Sequence, residues 1–249
     1  MYSLISNLIR KIFPAAWLQK NQIGLRKIYA HFFVPKGDCH CAVCNQSLKE
    51  FVSIDKNELL CPACGSGKRH RRLFALLREQ VKKEDSLLDF SPNAGFLYYA
   101  RKTWGNHYFT SNYDPKDSTN FHFDITAIAH ESTAFDVIIC YHVLEHITAD
   151  AQAISELYRI LKPGGTCWIQ TPFKEGEIYE DFSITGAAER LEHFHQEDHV
   201  RIYSAEGLAQ RLSAGGFKVE ILHFQEKENP DEHKQMGYKQ EETILLARK

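Results

Sequence analysis

Long hydrophobic runs are missing from this chain of 249 residues. No apolar stretch approaches the roughly 18 residues needed to span a bilayer. No apolar core of signal-peptide length is followed by a small-residue cleavage site. The expectation is a cytoplasmic protein, at most peripheral to a membrane. Excess charge is also missing: the formal net charge is -2, which gives no global pull toward nucleic acid or acidic lipid. Internal repeats and low-complexity tracts are absent, so a solenoid or linker-rich chain is excluded. Cysteine is scarce outside one window, because five of the seven lie between Cys39 and Cys64. An odd number, with paired Cys-x-x-Cys spacing, favours a reduced compartment and metal binding over disulfides.

Acidic residues are absent from positions 1–37, which carry Arg10, Lys11, Lys20, Arg26, Lys27 and Lys36. Leu4, Ile5, Leu8, Ile9, Ile12 and Phe13 recur at helical spacing and make one apolar face. Pro14 interrupts it, and Trp17, Ile28, Phe32 and Phe33 continue the apolar content. Such a segment docks on its own domain, self-associates, lies in a membrane interface, or serves as an acid-poor presequence. The expected division is therefore 1–37 as a basic amphipathic segment, 38–67 as a cysteine module and 68–249 as the main domain.

The cysteine module holds Cys41-Ala-Val-Cys44 and Cys61-Pro-Ala-Cys64, with 16 residues between the pairs. This is the spacing of a zinc ribbon. Four thiolates from Cys41, Cys44, Cys61 and Cys64 would close a tetrahedral shell, which points to structural rather than catalytic zinc. Cys39 is a fifth candidate and an alternative to Cys41. Lys68-Arg69-His70-Arg71-Arg72 follows. It reads either as a phosphate-binding tract or as the charged start of the amphipathic helix carrying Leu73, Phe74, Leu76, Leu77 and Val81.

The most informative stretch runs from Phe135 to Pro172. Val137–Cys140 is a short apolar, β-branched run, as expected of a strand buried in a parallel sheet. Ile154, Leu157, Tyr158 and Leu161 follow at helical spacing. Pro163-Gly164-Gly165 stops that helix, and Cys167–Thr171 reads as the next strand. This β-α-β unit makes the fold class α/β. Ligands of open α/β sheets bind beyond the carboxyl ends of the strands, so Cys140, Tyr141, His142, Thr171 and Pro172 are candidates.

Two blocks here, Phe135-Asp136-Val137-Ile138 through Val143-Leu144-Glu145-His146-Ile147, and Leu161-Lys162-Pro163-Gly164-Gly165, resemble class I S-adenosylmethionine (SAM)-dependent methyltransferases. Cys61-Pro-Ala-Cys64-Gly-Ser-Gly-Lys-Arg-His-Arg, and Glu189-Arg190 through Phe194, Gln196 and Asp198–Tyr203, resemble a subgroup with a cysteine-knuckle head. The resemblance covers residues 39–249. It implies a Rossmann-like sheet of seven strands, helices on both faces, one strand reversed, SAM as cofactor and an unidentified methyl acceptor. A small molecule or glycan is preferred over nucleic acid, since no Asn-Pro-Pro-Tyr motif follows the fourth strand. The alternative is a non-catalytic adaptor using the zinc module to recognise a partner or RNA.

By the same resemblance, Leu87–Gly95 holds the first strand and its loop. Asp89 would hold the methionine ammonium, with Ser91, Asn93 and Gly95 in the loop. The usual Gly-x-Gly-x-x-Gly is reduced to Gly95, and Pro92 removes an amide donor. Asn112 or Asp114 would bind the ribose. Asp124 and the Ile125 amide would bind the adenine, and Cys140 and Tyr141 lie at the fourth strand's exit. Residues 172–203 would cover the acceptor. Histidine titrates near neutral pH, so His142 and His199, ahead of His193 and His195, are the candidate bases. His142-x-x-Glu145-His146 also fits a peptidase zinc motif, but its place directly after a buried strand argues against a peptidase.

Overall fold

The structure is a computed structural model that describes residues 12–54 and 58–249. The expected apolar face at Leu4, Ile5, Leu8 and Ile9 lies outside these residues. Past Pro14, helix α1 (Ala15–Phe33) forms and leaves Trp17, Ile28, Phe32 and Phe33 exposed. No helix among the described residues is long and apolar enough to cross a membrane.

The chain packs as two units. One holds the described residues up to Lys82, with Asn93–Thr103 and Phe224–Glu242; the other holds Lys83–Pro92, Trp104–His223 and Thr243–Lys249. The boundary expected between residues 67 and 68 is not respected, and two buried arginines show why. In the first unit, β1 (Cys39–His40) pairs with β2 (Ser47–Leu48), and β3 (Val52–Ser53) with β4 (Leu59–Leu60), both antiparallel. Helix α2 (Lys68–Gln80) follows. Its Arg71 is fully buried and donates to the carbonyls of Leu59, Ser66, Met236 and Gly237. Arg72 pairs with Glu242 at 3.3 Å and lies 3.9 Å from the Tyr238 ring centroid. A guanidinium out of water needs several fixed acceptors, and here distant segments supply them. Helix α7 (Pro230–Met236) and the turn after it are thereby joined to the cysteine hairpins. Arg71 and Arg72 of the basic tract are thus internal ties and not a phosphate-binding surface.

The second unit is a six-stranded sheet in the order β11-β12-β8-β7-β5-β6. Its strands are β5 (Leu87–Phe90), β6 (Tyr108–Ser111), β7 (Phe135–Tyr141), β8 (Leu161–Gln170), β11 (Lys218–Gln225) and β12 (Glu241–Arg248). β6, β5, β7 and β8 are parallel neighbours, and β12 runs antiparallel to β8. The chain reaches β6 from β5 through α3 (Ala94–Trp104) and reaches β8 from β7 through α4 (Asp150–Ile160). α4 buries Ala153, Ile154, Leu157 and Ile160; of the predicted stripe Ile154 and Leu157 are buried there, whereas Tyr158 is half-buried and Leu161 already belongs to β8. Burying each large aliphatic side chain contributes roughly 1.5–3 kcal/mol. Residues Pro163–Gly165 do not stand outside the strand; β8 already begins at Leu161.

Six strands replace the expected seven because the third never pairs beyond one bridge, Ser111 with Phe121. Phe121 and Phe123 instead stack on each other at 4.6 Å. The Asn120 side chain accepts the Thr110 amide, where a neighbouring strand would otherwise bond.

Residues 172–203 fold into β9 (Tyr179–Glu180), α5 (Ala187–Phe194) and β10 (Arg201–Ile202), with β9 and β10 antiparallel. Arg201 is fully buried. It donates to the Ile147 and Thr148 carbonyls at 2.6 and 2.9 Å, and pairs with Glu180 at 2.8 Å and Asp150 at 3.2 Å. Arg211, on α6 (Ala205–Ala214), bonds the same two carboxylates. Burial pushes the Glu180 carboxyl up, but Arg211 and Arg201 outweigh it and hold it below its ordinary value. Removing one partner of such a network leaves charge uncompensated at a cost of about 3–5 kcal/mol. Arg201→Met is therefore expected to lower the unfolding free energy by that amount, read in urea as a lower midpoint at an unchanged slope. A loss under about 1 kcal/mol would show that Arg211 alone satisfies both carboxylates.

Candidate active site

Parallel sheets bind ligands where the strand order reverses. That point is β5, from which the chain runs outward to β6 on one side and later to β7 on the other. A cavity of about 670 Å³ opens at the carboxyl ends of these strands, a volume typical of small-molecule sites. Phe90 and Ser91 line it from β5, Ser111 from β6, and His142 and Val143 from β7. Phe123–Thr126, His146–Ala149, Tyr113 and Asp198 complete the wall.

Ser91 and His142, the residues immediately after two adjacent strands, share a backbone feature. Their φ angles are +53° and +56°, a left-handed conformation costing a non-glycine residue about 1–3 kcal/mol. Each amide still bonds the neighbouring strand, Ser91 to the Ser111 carbonyl and His142 to the Gln170 carbonyl. The left-handed residue then turns the chain sharply at the cavity rim. Strain of this kind collects at functional sites.

The expected cofactor residues separate into three groups. Ser91, Asp124 and Ile125 are on the wall. Asp124 accepts the Thr126 amide and hydroxyl at 2.9 and 2.7 Å, and these bonds hold its carboxyl below the usual range. A second group lies behind the wall. Asp89 is buried and accepts the Tyr108 hydroxyl at 2.5 Å. Asn112 accepts from Ser91 at 3.1 Å and donates to Asp117, so both ends of its amide are used internally. Cys140 is packed in the apolar core. Tyr141 is buried, and Asp114 caps its own turn by accepting the Lys116 amide. The third group belongs to the other packing unit. Asn93 accepts the Gly95 amide at 2.9 Å at the start of α3. A Cβ on Gly95 would stand 2.3 Å from the Cys64 carbonyl oxygen. The approach of a cysteine knuckle is by itself sufficient to require glycine there.

Of the histidines, His142 and His146 reach the cavity wall. His193 bonds Tyr179, and His195 closes α5 in the left-handed region. His142 Nδ1 lies 3.2 Å from Glu145 Oε1, and its Nε2 lies 3.2 Å from Gln170 Oε1. Glu145 is buried; burial raises its carboxyl, but His142 more than offsets this and leaves it below normal. His199 is buried edge-on against His146, with ring centroids 4.7 Å apart. Burial, and then His146, hold its imidazole below its ordinary pKa. Sequence reasoning named His146 only within a peptidase motif and Asp198 only within the covering segment, and did not single out Tyr113. The third carried a signal, being an aromatic at a strand exit, and it is 76% exposed.

In the first unit, the sulfurs of Cys41, Cys44, Cys61 and Cys64 all lie within 4.8 Å of one another and are buried. Cys41 and Cys64 are 3.7 Å apart, as are Cys44 and Cys61. Tetrahedral zinc with bonds near 2.3 Å separates its sulfurs by about 3.8 Å, so the arrangement fits that ion. Cys39 is outside the cluster, and its thiol points to the Lys49 and Lys234 carbonyls.

A family model described as a methyltransferase domain matches residues 66–222. A Mycolicibacterium smegmatis protein named "Probable S-adenosylmethionine-dependent methyltransferase" is 31% identical over 99 residues, 40% of this chain. The match spans about a third, 35%, of that protein's length. Among solved structures, the [4+2]-cyclase SpnF superposes with a TM-score of 0.51 at 17% identity, covering 72% of this chain and 80% of its own. A chain of the complex between the Haloferax volcanii Trm112 methyltransferase activator and a methyltransferase also gives 0.51, at 16% identity, covering 73% and 89%. These likenesses establish the fold alone, since one of the two is titled a cyclase.

Asp89 yields a pH prediction. Burial raises its carboxyl to about 7, with the Tyr108 hydroxyl pulling the other way. Between about pH 4 and pH 7 the folded chain then holds a proton that the unfolded chain has lost. The stability contributed by neutral Asp89 is present at low pH and is lost as pH rises through that window. Asp89→Asn should flatten this dependence by a few kcal/mol, read as the difference between the two proteins' denaturation curves at pH 5 and pH 8. Parallel curves would mean that Asp89 titrates normally.

Proposed function

We propose that this chain, which belongs to the methyltransferase-domain family, binds SAM in the cavity beyond β5, β6 and β7 and methylates a small molecule or glycan. The observation that carries the reading is the cavity's place at the strand-order reversal, where Ser91 and His142 turn out of the sheet left-handed. The wall suits a nucleoside: Phe90, Phe123, Ile125, Val143 and Ile147 are apolar, and Ser91, Ser111 and Asp124 offer hydroxyl and carboxylate groups. Tyr113 presents an exposed ring for stacking. When bound, SAM supplies a methyl group on a sulfonium, already a good leaving group. The chain's residues then contribute orientation. Asp124 accepts hydrogen bonds from the adenine side, and Ser91 from the ribose side in the role expected of Asn112. His142, on the wall beside buried Glu145, is placed to take a proton from a hydroxyl or amine acceptor. Residues 172–203 cover the acceptor side through Asp198. Zinc held by Cys41, Cys44, Cys61 and Cys64 has a structural part, because four sulfurs leave no open position.

Calorimetric titration of the zinc-replete chain with SAM and with its demethylated product is expected to show both binding. Tyr113→Ala should weaken each by about 1–3 kcal/mol, the range for aromatic stacking on a base. No binding of either ligand by the folded chain would overturn the reading. The zinc assignment is tested separately: mercurial titration of the thiols of Cys41, Cys44, Cys61 and Cys64 should release one zinc from that cluster, with a cooperative loss of structure. An intact fold after chelation would remove zinc from it.

A further inference from the structure

One cluster beside the cavity is not used by the proposed reaction. Glu145 and His146 come from the turn after β7, and His199 comes from the segment before β10. One ligand atom from each lies within 4.8 Å of the others. The centre of such a triangle is no more than roughly 2.8 Å from each corner, a small side-chain rotation from the ~2.1 Å of a nitrogen or oxygen bond to zinc.

A second observation points to a cation. Both Glu145 carboxylate oxygens are buried without a hydrogen-bond partner. His142 Nδ1 lies 3.2 Å from one of them, and the other makes no ion-pair contact among the described residues. An ionised carboxylate out of water needs its lone pairs filled. A third observation concerns the rings. Metal-bound histidines characteristically donate their second nitrogen to a carboxylate or carbonyl, which fixes the tautomer. His146 Nδ1 lies 3.2 Å from an Asp198 carboxylate oxygen and 3.3 Å from its carbonyl. His199 bonds the Phe194 backbone. Each ring therefore keeps one nitrogen for a ligand.

We infer that Glu145, His146 and His199 form a binding site for a divalent first-row cation at the cavity edge. One carboxylate and two imidazoles leave coordination positions open, the arrangement of catalytic rather than structural sites. The set differs from the i, i+4 histidine pair suggested by the motif, since His142 is a neighbour and not a ligand. His146 and Asp198 both line the cavity, so an open position is available to an oxygen of the bound acceptor. That last assignment rests on the proposed methyl transfer; the ion site does not.

The test is an electron-paramagnetic-resonance titration with Mn²⁺, in the absence of SAM, of the full-length chain that keeps zinc in its cysteine cluster and has been freed of more weakly held metal by a mild chelator. Oxygen and imidazole donors accept Mn²⁺, whereas thiolates disfavour it, so the cysteine cluster stays silent. The expected result is one Mn²⁺ per chain, bound at least about 10-fold more weakly by Glu145→Gln and by His199→Ala. Mn²⁺ should also broaden the imidazole NMR signals of His146 and His199 in the wild-type chain, a readout needing no variant. Absence of a bound Mn²⁺ in the wild type overturns the site, as does binding unchanged in both variants. SAM binding with no Mn²⁺ would sink this inference alone; Mn²⁺ without SAM would sink only the methyl transfer.

Discussion

The buried guanidinium of Arg201 is the constraint on which the second unit's site depends. It ties β10 to β9 through Glu180, to α4 through Asp150, and to the cavity wall through the Ile147 and Thr148 carbonyls. Those carbonyls belong to the stretch that follows His142, Glu145 and His146. A charge placed there must be surrounded by fixed acceptors, and meeting that need holds the turn after β7 in one conformation. Residues 172–203, nominally a long connection, become ordered by the same requirement. Long loops near sites are usually mobile; this one carries its own anchor.

The first unit repeats the principle with Arg71. Its donors are divided between the carbonyls of the β4 and Ser66 region and those around Gly237. A segment near the carboxyl end is thereby made part of the cysteine module. Gly95 answers to the same module, because only a residue without Cβ tolerates the Cys64 carbonyl at that distance. The glycine-poor loop after β5 thus reflects a second packing demand. A loop shaped by knuckle contact has less freedom to follow the usual glycine-rich pattern.

Two chemical environments meet at the cavity. On the β5 and β6 side the wall is apolar, with hydroxyls and one exposed carboxylate. On the β7 side, Glu145, His142, His146 and His199 gather where β7 ends and β10 begins. Ser91 and His142, both left-handed, are the two corners at which the chain leaves the sheet beside these environments.

The sequence by itself determined the elements and their order. The apolar β-branched run at Val137–Cys140 and the helical spacing of Ile154 and Leu157 are local patterns, and periodicity reports them directly; Leu87–Phe90 was legible only through the family resemblance. The paired knuckles were equally legible, because metal ligation leaves a fixed spacing. The methyltransferase family could be read from the blocks around Leu144 and Pro163. Tertiary structure alone decided the rest. Whether Arg71 faces solvent or acceptors, whether Gly95 serves a cofactor or Cys64, and whether Asn112 is free for a ligand or occupied by Ser91 and Asp117 depend on segments far apart in the chain. The cluster of Glu145 and His146 with His199 is of the same kind. His199 lies some fifty positions beyond the adjacent Glu145 and His146, and only packing brings its ligand atom to theirs, which no spacing rule records.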